Sequence, residues 1–354
     1  MVDTMTQRKP NIPYWLEHRN TSNGQPNYYL VKASQVNGKK IKTSKFIGHT
    51  KPNNQELHQL SEKHAYELET TTIQKEAKAS SKTYKTTYID TETLEALETI
   101  RYTYKKYTNL LTTDEIKAYE QNFEIHYVQG TTAIEGNTLT INQTRNLLVN
   151  EIVPDEKTLR EINEIQNFKN VKTYRDRYKG KITLDFIKTL HSLIMNNIDY
   201  HSLGLFRRTD HTIISGCDLN VTPAILIEEE LKEIINEYYL AISKGQHPFE
   251  EAVMFHYKFE MIHPFNDGNG RVGREIFNYM LNECSYPRLL FLGSDRAEYI
   301  KLLQLANDEQ YGTMVQTFAQ LIIQQRFQVL LDNLVQIVLP PKQHGQLRLY
   351  DFFI

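Results

Sequence analysis

Hydrophobic positions along this chain change their period once, near residue 50. Before it, Asn27-Tyr28-Tyr29-Leu30-Val31 and the run from Lys39 to Ile47 alternate with period two and flank Asn37-Gly38. A two-residue hairpin turn needs φ > 0 at both central positions, which Asn-Gly supplies, so the pattern predicts a β-hairpin. Residues 48–54, rich in Thr, Pro and Asn, read as a linker. After it the texture is helical. A weakly amphipathic stretch over residues 56–78 meets a polar break at Ala79-Ser80-Ser81-Lys82. Thr91-Glu92-Thr93 opens a helix carrying Leu94, Leu97, Ile100 and Tyr104, and Thr113-Asp114-Glu115 opens the next with the capping and acidic residues expected there. In the segment from Phe249 to Cys284, Ala252, Phe255, Phe259 and Ile262 recur at three- and four-residue steps, which predicts one face of a buried helix. Pro264 forces His263 out of helical geometry and ends it. A second helix is read from Arg271, with Val272, Ile276 and Met280 inward. The C-terminal third reads as helical to about Val338, where Pro340-Pro341 stops it; the tail from Leu347 to Ile354 is apolar enough to dock.

Composition narrows the class. With 354 residues, 40% hydrophobic and 24% charged, the chain is an ordinary globular sequence long enough for more than one core. No run approaches the ~20 apolar residues of a membrane helix, and Met1-Val2-Asp3-Thr4 opens no secretory signal. Two distant cysteines, Cys217 and Cys284, exclude a disulfide framework or a cysteine zinc site, so a reducing cytoplasm is the expected location. The net charge of −2 conceals an asymmetry: residues 1–52 hold nine Lys and Arg against two acids, a net +7, leaving −9 elsewhere. A basic head on an acidic body suggests a separate module.

The chemistry concentrates between the two helices of the 249–284 segment. Asn266-Asp267-Gly268-Asn269-Gly270 is a glycine-rich turn whose backbone N–H groups point out at a helix N-terminus, a ready anion site. Arg271 and Arg274, read as first-turn residues, oppose the helix dipole there, and a bound polyanion is the natural reason for them. Asp267 is a lone carboxylate of the kind that holds Mg²⁺ together with phosphates. His263 has the pKa range of a general base. Base, metal carboxylate, anion cradle and two arginines within twelve positions read as phosphoryl or nucleotidyl transfer. The turn lacks the glutamate that closes a calcium loop and the Lys-Ser/Thr of a Walker loop. His247, His256 and His263 lack the His-Glu-x-x-His order of zinc enzymes, and His256 reads as a core histidine.

From His263 to Arg274 the sequence His-Pro-Phe-Asn-Asp-Gly-Asn-Gly-Arg-Val-Gly-Arg matches the Fic motif HPFx(D/E)GNGRxxR at every defined position. Over roughly residues 113–325 the chain resembles Fic-family protein adenylyltransferases. The resemblance implies that His263 deprotonates a protein hydroxyl that attacks the α-phosphate of ATP, with release of pyrophosphate. It implies that Phe265 anchors the loop and that Asp267 holds Mg²⁺ on the α- and β-phosphates. Gly268, Asn269 and Gly270 would cradle the phosphates, Arg271 meeting the β- and Arg274 the γ-phosphate, with Val272 and Gly273 completing the binding segment. Relatives that act as kinases or transfer phosphocholine carry alanine at the first loop glycine; Gly268 here favours AMP transfer.

Further segments resemble other parts of the family. Thr131-Thr132-Ala133-Ile134-Glu135-Gly136-Asn137 matches its inhibitory motif, (S/T)xxxE(G/N), in the class with an N-terminal inhibitory helix. That resemblance sets Glu135 against Arg274, in competition with the γ-phosphate. Gly136 is expected to cap the helix, here placed near residues 121–136, and Thr140 with Gln143 to form a capping box. Gly204 to Arg207, followed by Ile213, Ile214, Ser215 and Gly216, resembles the hairpin flap that aligns a target peptide. Tyr299 and Asn307 resemble the residues contacting adenine or ribose, eight positions apart on one helix. The expected fold is mainly α: a Fic-type helical bundle with a β-hairpin flap and a small N-terminal β-hairpin module. The expected divisions are a basic module at 1–54, a helical linker region at 55–112, the Fic domain at 113–325, and a C-terminal helix and tail at 326–354. The expected activity is AMP transfer from ATP, with Mg²⁺, to a Ser, Thr or Tyr hydroxyl, autoinhibited by Glu135. Self-modification and a homodimer stay open. The alternatives are a nucleic-acid-associated regulator, using residues 1–54, and a de-adenylylating hydrolase; docking of a protein target is the favoured role for the basic head.

Overall fold

The computed structural model describes residues 14–210, 221–307 and 309–338, the last of these without the side chains of 327–329 and 331–338. These residues divide into two compact units. Of the described residues, the first takes in those up to Thr83, Leu94–Thr112 and those from Ile323 on; the second comprises those within Tyr84–Thr93 and Thr113–Ile322.

The first unit is built on a three-stranded antiparallel sheet in the order β1 (Trp15–Asn20), β2 (Pro26–Val36), β3 (Lys39–Gly48). Asn37 (φ 48°) and Gly38 (φ 80°) turn β2 into β3, as the Asn-Gly step requires. The added strand β1 carries a mostly polar sequence, Leu-Glu-His-Arg-Asn after Trp15, and pairs with β2 from Trp15↔Val31 to Asn20↔Pro26. Helix α1 (Asn54–Ser81) lies against β2 and β3. It starts at a capping box in which the Asn53 side chain accepts from Glu56 N–H while the Glu56 carboxylate accepts from Asn53 N–H. Between sheet and helix, buried Lys32 and Glu69 form an ion pair. Lys106 of α2 (Thr91–Leu110) joins it at 3.0 Å, and the Tyr14 hydroxyl donates to Glu69 at 2.9 Å.

The second unit is helical, running α3 (Thr113–Ala133), α4 (Ile141–Val149), α5 (Leu159–Arg177), α6 (Leu184–Ile194), α7 (Ile227–Ser243), α8 (Pro248–Ile262), α9 (Asn269–Glu283), α10 (Arg296–Asn307) and the start of α11 (Tyr311–Val338). The pair α8–α9 is its centre: α8 packs on α7, α9 and α10, and α9 on α3 and α6. Ala252, Phe255, Phe259 and Ile262 of α8 and Val272, Ile276 and Met280 of α9 are all buried, so the apolar spacing identified the right faces. Helix α9 begins two residues before Arg271, because Gly268 at φ 82° serves as its N-cap; Arg271 is therefore in the first turn but Arg274 in the second. Helix α3 stops at Ala133, and Gly136 (φ 102°) completes the turn that follows. Thr140 and Gln143 form the expected capping box of α4. No helix among the described residues is long and apolar enough to cross a membrane. Residues 211–220, including Ile213, Ile214, Ser215 and Gly216, lie outside the described residues, as do Pro340-Pro341 and the C-terminal tail.

Candidate active site

The turn between α8 and α9 is held from beneath by its own side chains. Phe265 is fully buried, and its ring stacks on His191 with centroids 3.8 Å apart. His191 Nδ1 accepts from Gly204 N–H at 2.9 Å, which places the ring proton on Nε2, the donor to the Asp267 carbonyl at 3.1 Å. Asn269 closes the turn with its amide: Oδ1 accepts from Phe265 N–H and Nδ2 donates to Phe265 C=O, both at 2.8 Å. That ring of bonds fixes the amide in place and leaves the backbone N–H of Asn269 to face an anion at the start of α9. Gly268 is required twice over, since any Cβ would meet Met195 Sδ at 2.8 Å as well as a left-handed backbone.

Arg207 clamps the same turn from the α6–α7 connection. This buried guanidinium donates to the carbonyls of His263 (2.8 Å), Thr209 (2.9 Å), Ile262 (3.2 Å) and Thr222, and its backbone N–H to Pro264 C=O (2.9 Å). So held, His263 caps α8 in the left-handed region at φ 48°, ψ 59°. Its Nδ1 lies 3.3 Å from the Glu260 carbonyl. A carbonyl can only accept, so Nδ1 carries the proton and Nε2 the lone pair. Burial pushes the imidazole pKa down to about 4, so the ring is neutral at ordinary pH.

Past the turn, the first α9 bond runs from Val272 N–H to Gly268 C=O (3.0 Å), so the N–H groups of Asn269, Gly270 and Arg271 precede the helical ladder and form the anion-binding end of the helix. Asp267 accepts from Gly268 N–H (2.6 Å), Arg271 Nη2 (2.9 Å) and Arg160 Nη2 of α5. Burial would raise its pKa, but Arg271 and Arg160 outweigh this and hold it below the usual range. Glu164 of α5 links Arg160 (3.2 Å) with Arg271 (3.3 Å) and accepts from Asn137 at 2.9 Å. Arg274, fully buried, donates from Nε to Thr131 Oγ1 (2.8 Å) and from Nη2 to Thr131 C=O (2.9 Å) and Glu135 Oε1 (2.6 Å); its Nη1 has no partner. Burial works to raise the Glu135 carboxyl, but Arg274 and then Arg271 prevail and keep it lowered and ionised.

These groups surround one cavity of about 160 Å³. His263, Asp267, Gly268, Asn269, Gly270, Arg274, Glu135 and Tyr299 all line it, with Ile300 and Leu303 as an apolar wall. Tyr299 is buried, and its hydroxyl meets His256 Nε2 at 2.8 Å. Arg271 adjoins the cavity through Asp267, whereas Val272 is core and Gly273 packs against α8, where a Cβ would meet Glu260 Oε1 at 2.4 Å. Asn307 is exposed at the end of α10 and does not line the cavity. Eight residues rotate a helix by about 80° beyond two turns, enough to take it off the face of Tyr299. Sequence reasoning gave no role to Arg160, Glu164 or Glu260, placed Thr131 only as the first position of the inhibitory motif, and read Arg207 only as part of the flap. A buried acid one turn before His263 was the available signal for Glu260.

The fold thus joins its central helix pair by a histidine-bearing, glycine-rich turn whose free backbone N–H groups suit an anion. Residues 181–281 match the Fic/DOC family, and the chain carries a Fic/DOC domain. It is 33% identical over 187 residues to protein adenylyltransferase fic-1 of Caenorhabditis elegans, covering 51% of this chain and 36% of that protein. It is 31% identical over 196 residues to protein adenylyltransferase Fic of Drosophila ananassae, covering 54% and 39%. The chain thus spans well under half the length of these curated relatives. Among solved structures, a Fic-1 fragment from C. elegans superposes with a TM-score of 0.56 at 25% identity, covering 77% of this chain and 85% of the fragment. A Fic domain containing signaling protein from Bacteroides thetaiotaomicron gives 0.58 at 21% identity, covering 70% and 99%, a likeness of fold alone.

Proposed function

We propose that this chain is a protein adenylyltransferase that moves AMP from ATP to a hydroxyl side chain of a protein and is held inactive by Glu135. The observation that carries this is the sharing of one cavity by a neutral His263, the N-terminus of α9 and Arg274, with a carboxylate already seated on that arginine. The naming of relatives 31% and 33% identical as protein adenylyltransferases supports it.

The step balances on these groups. The target hydroxyl gives its proton to His263 Nε2 as its oxygen bonds to the α-phosphorus. The bond from that phosphorus to the α,β-bridging oxygen breaks, and pyrophosphate leaves with the electron pair. Charge on the phosphates falls to the α9 N-terminal N–H groups and Arg274, dipoles and a cation fixed in advance. The residues present fit Mg²⁺: Asp267 lines the cavity and offers a single carboxylate, 41% exposed, which suits a cation held mainly by phosphates. Mg²⁺ beside Asp267 would neutralise phosphate charge. The role of Glu135 follows from competition. An ionised carboxylate 2.6 Å from Arg274 Nη2 occupies the donor a terminal phosphate needs, and the cavity is smaller than the ~300 Å³ at which ligand pockets begin.

Incubation with α-labelled ATP and Mg²⁺ tests this in the wild type, Glu135→Gly and Glu135→Gly/His263→Ala. Label is expected on protein, the chain itself or an added target extract, strongly in the single variant and weakly in the other two. Absence of label from all three sinks AMP transfer; equal label in wild type and Glu135→Gly sinks the inhibitory role.

A further inference from the structure

Glu260 is buried at 3% exposure on the last turn of α8 and lines the same cavity as Arg274. Its Oε1 has no hydrogen-bond partner, and neither has Arg274 Nη1. The two other polar arms of Arg274 are satisfied by Thr131 and Glu135, and every other carboxylate near the site is paired with an arginine. Two residues that line a cavity proposed to take a nucleotide, one a buried acid and one a buried cation, therefore each keep an unused polar atom at its edge. Unsatisfied buried groups of this kind carry a full desolvation cost unless a ligand or water completes them.

We infer that Glu260 is a further nucleotide-binding residue, which meets the terminal phosphate of ATP as a neutral carboxylic acid and donates its O–H beside Arg274. An ionised carboxylate there would repel the phosphate, whereas the neutral acid adds a donor to the guanidinium. The surroundings favour the neutral form. Burial first, and then the charge of Glu135, push the Glu260 carboxyl up to about 8, against the lowering influence of Arg274 and the Tyr299 hydroxyl. The titratable groups facing it are Glu135 after α3, Arg274 on α9, Tyr299 on α10 and His256 and His263 on its own helix; both histidines are neutral at ordinary pH. With Glu135 removed, the phosphate's own charge takes its place in keeping Glu260 protonated. Space is reserved for this acid as well: Gly273 is the α9 residue against which Oε1 rests, and any Cβ there would intrude to 2.4 Å.

This inference rests on the nucleotide reading above, and binding measurements separate the two. ATP and ADP dissociation constants are measured from pH 6.5 to 9.5 by calorimetry, with Mg²⁺, for Glu135→Gly and Glu135→Gly/Glu260→Gln. Glutamine keeps a neutral donor of the same size and cannot ionise. The expected result is that ATP affinity in Glu135→Gly falls up to tenfold per pH unit on an alkaline limb, as loss of one required proton dictates, while the Glu260→Gln variant lacks that limb. ADP, without the terminal phosphate, is expected to bind both variants alike across the range. Superimposable ATP profiles overturn the role of Glu260 and leave the nucleotide reading intact. A parallel change in ADP binding also overturns it, because the residue would then act on the whole site. Failure of either nucleotide to bind the parent at any pH sinks both.

Discussion

At the scale of single residues, the catalytic proposal depends on a histidine whose position is imposed from outside its own motif. His263, Phe265, Asp267 and the glycines were legible because a turn between two helices is local, and its chemistry lies in consecutive letters. Arg207 was not, because its carbonyl partners lie up to 56 positions away and nothing in the sequence marks an arginine as a backbone clamp. Replacing Arg207 by Met orphans several buried carbonyls and frees His263, so labelling by Glu135→Gly/Arg207→Met is expected to fall about 100-fold or more, the cost of a displacement near 1 Å. ATP affinity measured in parallel should change little, since Arg207 does not line the cavity. The pKa of His263 yields a second expectation. Burial lowers it to about 4, and the neutral form is the base, so activity should persist as pH falls through the ordinary histidine range. A rate profile for Glu135→Gly that drops with a midpoint near 6.5 would contradict this.

Among the elements, α3 has the most to explain, since it carries both Thr131 and the turn holding Glu135. Its C-terminal half lies so close to the segment after α9 that a Cβ on Gly130 would sit 2.0 Å from the Phe291 carbonyl. Backbone cannot yield to that without the helix moving. Gly130→Ala is therefore expected to lower thermal stability by about 1–3 kcal/mol, as overpacking does, and to raise labelling above wild type as Glu135 leaves Arg274. A melting curve with the labelling assay separates this from simple loss of fold, in which both would fall. Periodicity located α8 and α9 by their buried faces, and Asn37-Gly38 located the hairpin. It misplaced the start of α9 by two residues, because a left-handed Gly268 can cap a helix without the usual capping side chain. Strand β1 escaped notice because Leu-Glu-His-Arg-Asn has no alternation to read; pairing with β2, not local pattern, makes it a strand.

Across the larger unit, long-range charge sets a frame that sequence could not disclose. Glu124 on α3 receives Arg175 of α5 at 2.9 Å and Arg288, after α9, at 2.8 Å, while Arg175 also reaches Glu275 of α9 at 2.8 Å. All four are buried, and their separations of 51 to 164 positions left each looking like a surface charge in the sequence. The network ties the helix before Glu135 to the helix bearing Arg274, so it fixes the geometry in which those two meet. Burial penalises the Glu124 carboxylate, but the two arginines outweigh it and hold its pKa well below the ordinary range. A carboxylate depressed in the folded state contributes stability that is fully present above its unfolded pKa of about 4.3 and is lost as pH falls below that value. Glu124→Gln removes the charge that the two guanidiniums share, leaving Arg175 with Glu275 and Arg288 with Glu120, which is expected to cost about 1–3 kcal/mol near pH 7. Urea unfolding followed by far-ultraviolet circular dichroism should show that loss at neutral pH. It should also show a shallower decline for the variant below pH of about 4.3, since the substituted amide has no proton to gain. Parallel declines for the two proteins would mean that acid acts through other carboxylates and that Glu124 braces the helices by shape alone.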